Sequence, residues 1–249
     1  MRKLQILFAV AFLGCSVAPV RAESILLLDL IAEDGQIVQG DKLFNNFDIQ
    51  VASTTGLAFP AIGSIVVEGI TRNGEHGLRF AGNLSATGQP EGPSGFGIVL
   101  NYSVTSLDPQ FLIHDLTIAS AVTVQNGGVL LTEQAFGPDS LLVADASASV
   151  GGVFPTDPGM TEISNHQVFS GDVASIDVRS TISLVGARSQ FCSPCGSASI
   201  DYIDHTFSQT SQTQVIPEPG TFVLLSIGVA AAGRVRRRRH VSHRGDAGL

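Results

Sequence analysis

Apolar and polar residues alternate along residues 96–105, placing Phe96, Ile98, Leu100, Tyr102 and Val104 on one face. Ile176, Val178, Ile182 and Leu184 repeat the pattern, with Asp177, Arg179, Thr181 and Ser183 opposite. Each segment is expected to be a strand with one face in a core and one in water. Two hairpins are expected. In the first, residues 65–70 and 78–81 flank Asn73-Gly74; in the second, residues 122–124 and 129–133 flank Asn126-Gly127-Gly128. Asn-Gly accepts the positive φ that tight hairpin turns demand. Further strands are expected at 24–30, 47–52, 112–118, 141–146 and 200–207, and the Gly- and Pro-rich stretch 82–97 reads as a long loop. Nine or ten short strands punctuated by turns predict an all-β domain, an antiparallel β-sandwich of jelly-roll type. A barrel or a solenoid is the alternative, although no fixed repeat period supports the latter.

The ends follow other rules. Arg2 and Lys3 precede a short apolar run, and Val20-Arg21-Ala22 offers a small-residue cleavage site, so residues 1–22 read as a secretory signal helix. Near the other end, Pro217-Glu218-Pro219 precedes twelve apolar residues, 222–233, and then Arg234, Arg236, Arg237, Arg238 and Arg239. As a hydrophobic helix that run would reach only about 18 Å at ~1.5 Å per residue. A bilayer core is about 30 Å thick, so a transient membrane engagement suits the segment better than a lasting span. The arginines would stay in the cytoplasm. The expected organisation is therefore a signal peptide (1–22), a secreted sandwich (23–207), a polar linker (208–215), a sorting tail (216–240) and a C-terminal extension (241–249).

That tail resembles a PEP-CTERM sorting segment: Ile216-Pro217-Glu218-Pro219, a short Gly/Ala/Leu-rich helix, then a basic cluster. The resemblance covers about a tenth of the chain. It implies export from a Gram-negative bacterium and recognition by a membrane-embedded sorting protease of the exosortase type. Pro217, Glu218 and Pro219 would be the recognition motif, and Arg234, Arg236, Arg237, Arg238 and Arg239 the retention charges. Membrane contact would be confined to the tail before processing, leaving the mature protein at the cell surface or in the extracellular matrix.

Charge and cysteine content narrow the function classes. Residues 23–220 hold 21 acidic residues against Lys42, Arg72, Arg79, Arg179 and Arg188, a net of −16, within a chain whose formal net charge is −8. Such a domain is unsuited to nucleic acid, which is bound through Lys and Arg. Cys192 and Cys195 remain after cleavage, and an oxidising compartment makes a local disulfide their simplest state. Asp201-Tyr202-Ile203-Asp204-His205 is the densest polar cluster. It reads first as solvated strand-edge charge, because residues three apart on a regular strand face opposite sides. Calcium on Asp201 and Asp204 is the alternative; no other cofactor is indicated. Gly-x-Ser-x-Gly is absent, and His76, His114, His166 and His205 are scattered, so no catalytic residue is assigned and an enzyme is not expected. The expected function is a non-catalytic sandwich associating with extracellular polysaccharide, matrix or itself. A secreted hydrolase of that polysaccharide is the alternative. Tyr102 and Tyr202 are the only tyrosines and tryptophan is absent, so aromatic sugar platforms are scarce.

Overall fold

The computed structural model describes residues 24–56, 60–89, 92–152, 160–187 and 196–211. Contacts divide the chain into two units, Met1–Ser211 and Gln212–Leu249, and every described residue lies in the first. In chain order the elements are β1 (Ile25–Leu26), α1 (Leu27–Ala32), β2 (Ile37–Gln39), β3 (Lys42–Thr55), a 3-10 turn (Ile62–Ser64), β4 (Val66–Arg72) and β5 (Glu75–Thr87). There follow β6 (Ser94–Ser106), β7 (Phe111–Gln125), β8 (Gly127–Phe136), β9 (Leu142–Gly152), β10 (Met160–Val173), β11 (Ser175–Gly186), β12 (Ser197–Phe207) and β13 (Gln209–Ser211).

Two antiparallel sheets face each other. The first runs β1-β4-β5-β12-β7-β10, with β13 also on β7; the second runs β2-β3-β6-β11-β8-β9. Counted from β5, the eight strands to β12 are ordered 1-8-3-6 in one sheet and 2-7-4-5 in the other. That is the jelly-roll order, and the sandwich expectation holds. The alternations at 96–105 and 176–184 become β6 and β11, paired along their length, with Phe96, Ile98, Leu100, Val104, Ile176, Val178, Ile182 and Leu184 all buried. Leu78, Phe80, Ile118, Val122, Ile203 and Phe207 meet them from the opposite sheet.

The first expected hairpin is present: Asn73 (φ 54°) and Gly74 (φ 88°) close β4 onto β5, both left-handed as a primed turn needs. The second is not. Asn126 (φ 49°) ends β7 in one sheet and opens β8 in the other, so the same turn chemistry makes a corner between sheets. Much of the expected loop at 82–97 is strand instead, because Gly82 lies in β5 and Gly95 and Gly97 in β6. Expected strand 24–30 is only Ile25–Leu26; α1 follows, burying Leu27 and Leu30 one turn apart. A short apolar run carries no period that separates the two states. Of the expected polar linker, Gln209, Thr210 and Ser211 are strand, paired with Ile113, Leu112 and Phe111 of β7. A sheet edge needs backbone partners, not apolar side chains, to hold a strand. The expected signal segment, Cys192, Cys195 and the tail lie outside the described residues. Among those described, no helix is long and apolar enough to cross a membrane.

Candidate functional site

Alternation along β11 turns Asp177, Arg179, Thr181 and Ser183 away from the core, onto the outer face of the second sheet. Register then extends the face sideways. Arg179 stands opposite Asn101 of β6 and Gln134 of β8, Asn101 opposite Asp48 of β3, and Gln134 opposite Asp145 of β9. Five strands thus carry one polar row, about 19 Å from end to end at a strand spacing of ~4.8 Å. The row beside it holds Gln50, Val99, Thr181, Thr132 and Ser147. Asp48 Oδ2 accepts from Gln50 Nε2 (2.9 Å) and Asn101 Nδ2 (3.3 Å), while Ser103 Oγ donates to Asp177 Oδ1 (2.6 Å). Further along β6, Gly95 lies between Ser53 and Thr55 on one side and Ser183 and Val185 on the other. The result is a recess of about 190 Å³. Carboxylates, amides, hydroxyls and one guanidinium on paired strands form a rigid hydrogen-bonding surface, matched to ligands that both donate and accept.

The outer face of the first sheet is internally committed. A bulge between Ile200 and Tyr202 resets the alternation of β12, so exposed Asp201, half-buried Tyr202 and buried Asp204 all lie on the outer side of the strand. Asp201 and Asp204, three apart, therefore share one face at this bulge instead of facing opposite sides. The Asp204 carboxylate is nonetheless taken. Arg79 donates Nε to Oδ1 (2.7 Å) and Nη2 to Oδ2 (2.9 Å), Arg72 donates Nη1 to Oδ2 (3.0 Å), and only 1% of the Asp204 side chain is exposed. Arg72 also pairs with Glu162, and the Arg79 guanidinium lies 4.2 Å over the Tyr202 ring. His166 meets Asp115 (3.0 Å) and His114 meets Asp172 (2.7 Å), tying β10 to β7. Among the described residues, no group of three or more His, Cys, Asp or Glu side chains converges to hold a metal ion.

A third cluster sits inside the sandwich. Tyr102, Glu133 and His205 are all buried, with Tyr102 Oη 2.7 Å from His205 Nδ1 and 3.3 Å from Glu133 Oε1. Burial pushes His205 down to about 3 and Glu133 well above the usual carboxylate range, a Tyr102 hydrogen bond opposing the latter. Burial thus favours the neutral form of each, so their 3.1 Å contact is not an ion pair. With its proton on Nδ1, His205 donates to Tyr102, which donates to Glu133. These acid, base and phenol groups are packed as part of the core, sealed from solvent. Sequence reasoning missed Glu133, although Val129, Leu131, Glu133 and Ala135 alternate inward.

Residues 215–239 match the family described as the PEP-CTERM protein-sorting motif. The chain carries a PEP-CTERM sorting motif. The span contains Pro217, Glu218, Pro219 and all five clustered arginines, and a motif of this kind implies export. No curated protein matches the chain in sequence. Among solved structures it is similar to TmCBM61 in complex with beta-1,4-galactotriose (11% identity, TM-score 0.32, covering 66% of this chain and 89% of that one). It is also similar to TmCBM27, a carbohydrate-binding module that recognises mannan (13%, 0.25, 69% and 100%). A third is the enzymatically active domain of tailspike protein 4 of Bacteriophage CBA120 (8%, 0.29, 66%), of which only 19% is covered. At such TM-scores they say nothing of what this domain binds.

Proposed function

We propose that this exported protein is processed at its tail by a sorting protease of the exosortase type. Its jelly roll then associates, without catalysis, with extracellular polysaccharide through the outer face of the second sheet. The observation that supports this reading is the five-strand row Asp48, Asn101, Arg179, Gln134 and Asp145. Sugar hydroxyls need donors and acceptors interleaved at fixed positions, and paired strands hold them without loop ordering. Contact would be made by hydrogen bonds more than by stacking, since Tyr102 is in the core and Tyr202 lies beneath Arg79 on the other face.

Arg179 is exposed and forms no ion pair among the described residues, so its replacement should leave folding alone. Charge-assisted hydrogen bonds contribute about 1.5–3 kcal/mol, so Arg179→Ala is expected to weaken binding by about ten- to a hundredfold. The check is co-sedimentation of the full chain, in mild detergent, with exopolysaccharide from the producing organism, following polymer length in parallel. Retained affinity in Arg179→Ala would move the site elsewhere. Shortening of the polymer would replace the binding reading by a hydrolase.

A further inference from the structure

The charge around Arg179 bears on which polysaccharide the face accepts, and this step rests on the polysaccharide reading above. Lys42 is buried and held by Asp41 at 3.3 Å. Arg72 and Arg79 are spent on Asp204 and Glu162 across the first sheet. Among the described residues, Arg179 is the one Lys or Arg side chain without an acidic partner within salt-bridge distance. Its surroundings are acidic. Asp177 lies two residues away on the same face of β11, and Asp48 and Asp145 end its own row. Three carboxylates against one guanidinium leave the face net negative, in a domain already strongly acidic.

We infer that the polymer bound on this face is an uncharged glycan, whose hydroxyls donate to the carboxylates of Asp48, Asp145 and Asp177 and accept from the Arg179 fork. A polyuronate or phosphorylated polymer would bring repeated negative charge against that surface and be repelled. A cation bridge would relieve the repulsion, but it needs converging carboxylates. Here the row separates Asp48 from Asp145 by three intervening strands, and Ser103 already donates to Asp177. Arg179 then acts as a hydrogen-bonding fork between the amides of Asn101 and Gln134, and as no counter-charge to the ligand.

The test is co-sedimentation of the full chain with neutral galactan, mannan and glucan, and with polygalacturonate and alginate, each with calcium and with EDTA. Because screening separates charge attraction from hydrogen bonding, every mixture is read at about 20 mM and about 500 mM salt. Retention by at least one neutral polymer is expected, changing less than about twofold with salt, calcium or EDTA, with the polyuronates left in solution. Asp145→Asn with Asp177→Asn is expected to begin retaining polyuronate at low salt; continued rejection would overturn the electrostatic account. Retention of polyuronate by the unmodified chain, with or without calcium, overturns this inference and leaves the polysaccharide reading standing. Retention by none of the polymers overturns both.

Discussion

Gly77→Ala is expected to lower stability by about 3 kcal/mol or more, or to abolish folding outright. A Cβ at this position would stand 1.9 Å from the carbonyl oxygen of His205 and 2.7 Å from Cα of Thr206. Both obstacles are backbone on β12, a central strand pinned by β5 on one side and β7 on the other. A flexible side chain could swing aside, but here relief requires parting β5 from β12 over several residues. Gly74→Ala is the control. It has a left-handed φ of 88° and nothing within 4 Å of the new Cβ, so only the conformational cost of about 1–2 kcal/mol applies. For a domain of this size, 1 kcal/mol corresponds to about 2–4 °C, so thermal melts should separate the two variants clearly. Equal melting temperatures would mean that β5 and β12 stand further apart than described.

What was legible in the sequence follows what each pattern depends on. The alternations of β6 and β11 need only local periodicity and one buried face, so both strands and their inward residues could be read directly. Those same patterns placed Asp177, Arg179, Thr181 and Ser183 on a solvent face. Completing the row with Asp48, Gln134 and Asp145 required the strand order, which no local pattern encodes. Asn73-Gly74 and Asn126-Gly127 look alike because positive φ serves a hairpin and a corner equally; which results depends on the sheet the next strand joins. β10 escaped notice because its Ser, Asn, His and Gln residues give an edge strand little apolar signal. The bulge at Asp201 redirected Tyr202 and Asp204, and the Arg79–Asp204 pair joins residues 125 apart. Sequence spacing hides both. In contrast, the sorting motif is contiguous and depends on no fold, so it was readable from residues alone.

Stability should be nearly flat between about pH 4.5 and 6.5 and fall on both sides, through the buried Glu133 and His205. Unfolded, the two groups take their ordinary values of 4.5 and 6.5; folded, burial raises Glu133 well above 4.5 and lowers His205 to about 3. Stability rises with pH wherever the unfolded chain binds more protons, by about 1.4 kcal/mol per pH unit for each proton. Between 4.5 and 6.5 the unfolded chain gains the histidine proton but lacks the glutamate proton that the native state keeps, so the slopes cancel. Below 4.5 the glutamate is protonated in both states, and the histidine term alone removes stability as pH falls towards 3. Asp115 and Asp172 act in the same direction at the acid end. Hydrogen bonds from Ser208 and His166 outweigh burial at the first, and those of Thr210 and His114 hold down the second. Above 6.5 only the native Glu133 proton remains, and stability declines as pH rises through its folded value. Glu133→Gln removes that decline and turns the plateau into a slope rising to pH 6.5. Urea midpoints of both proteins from pH 3 to 9 measure this. If the variant keeps the alkaline decline, Glu133 is already ionised in the native core and the neutral network is wrong.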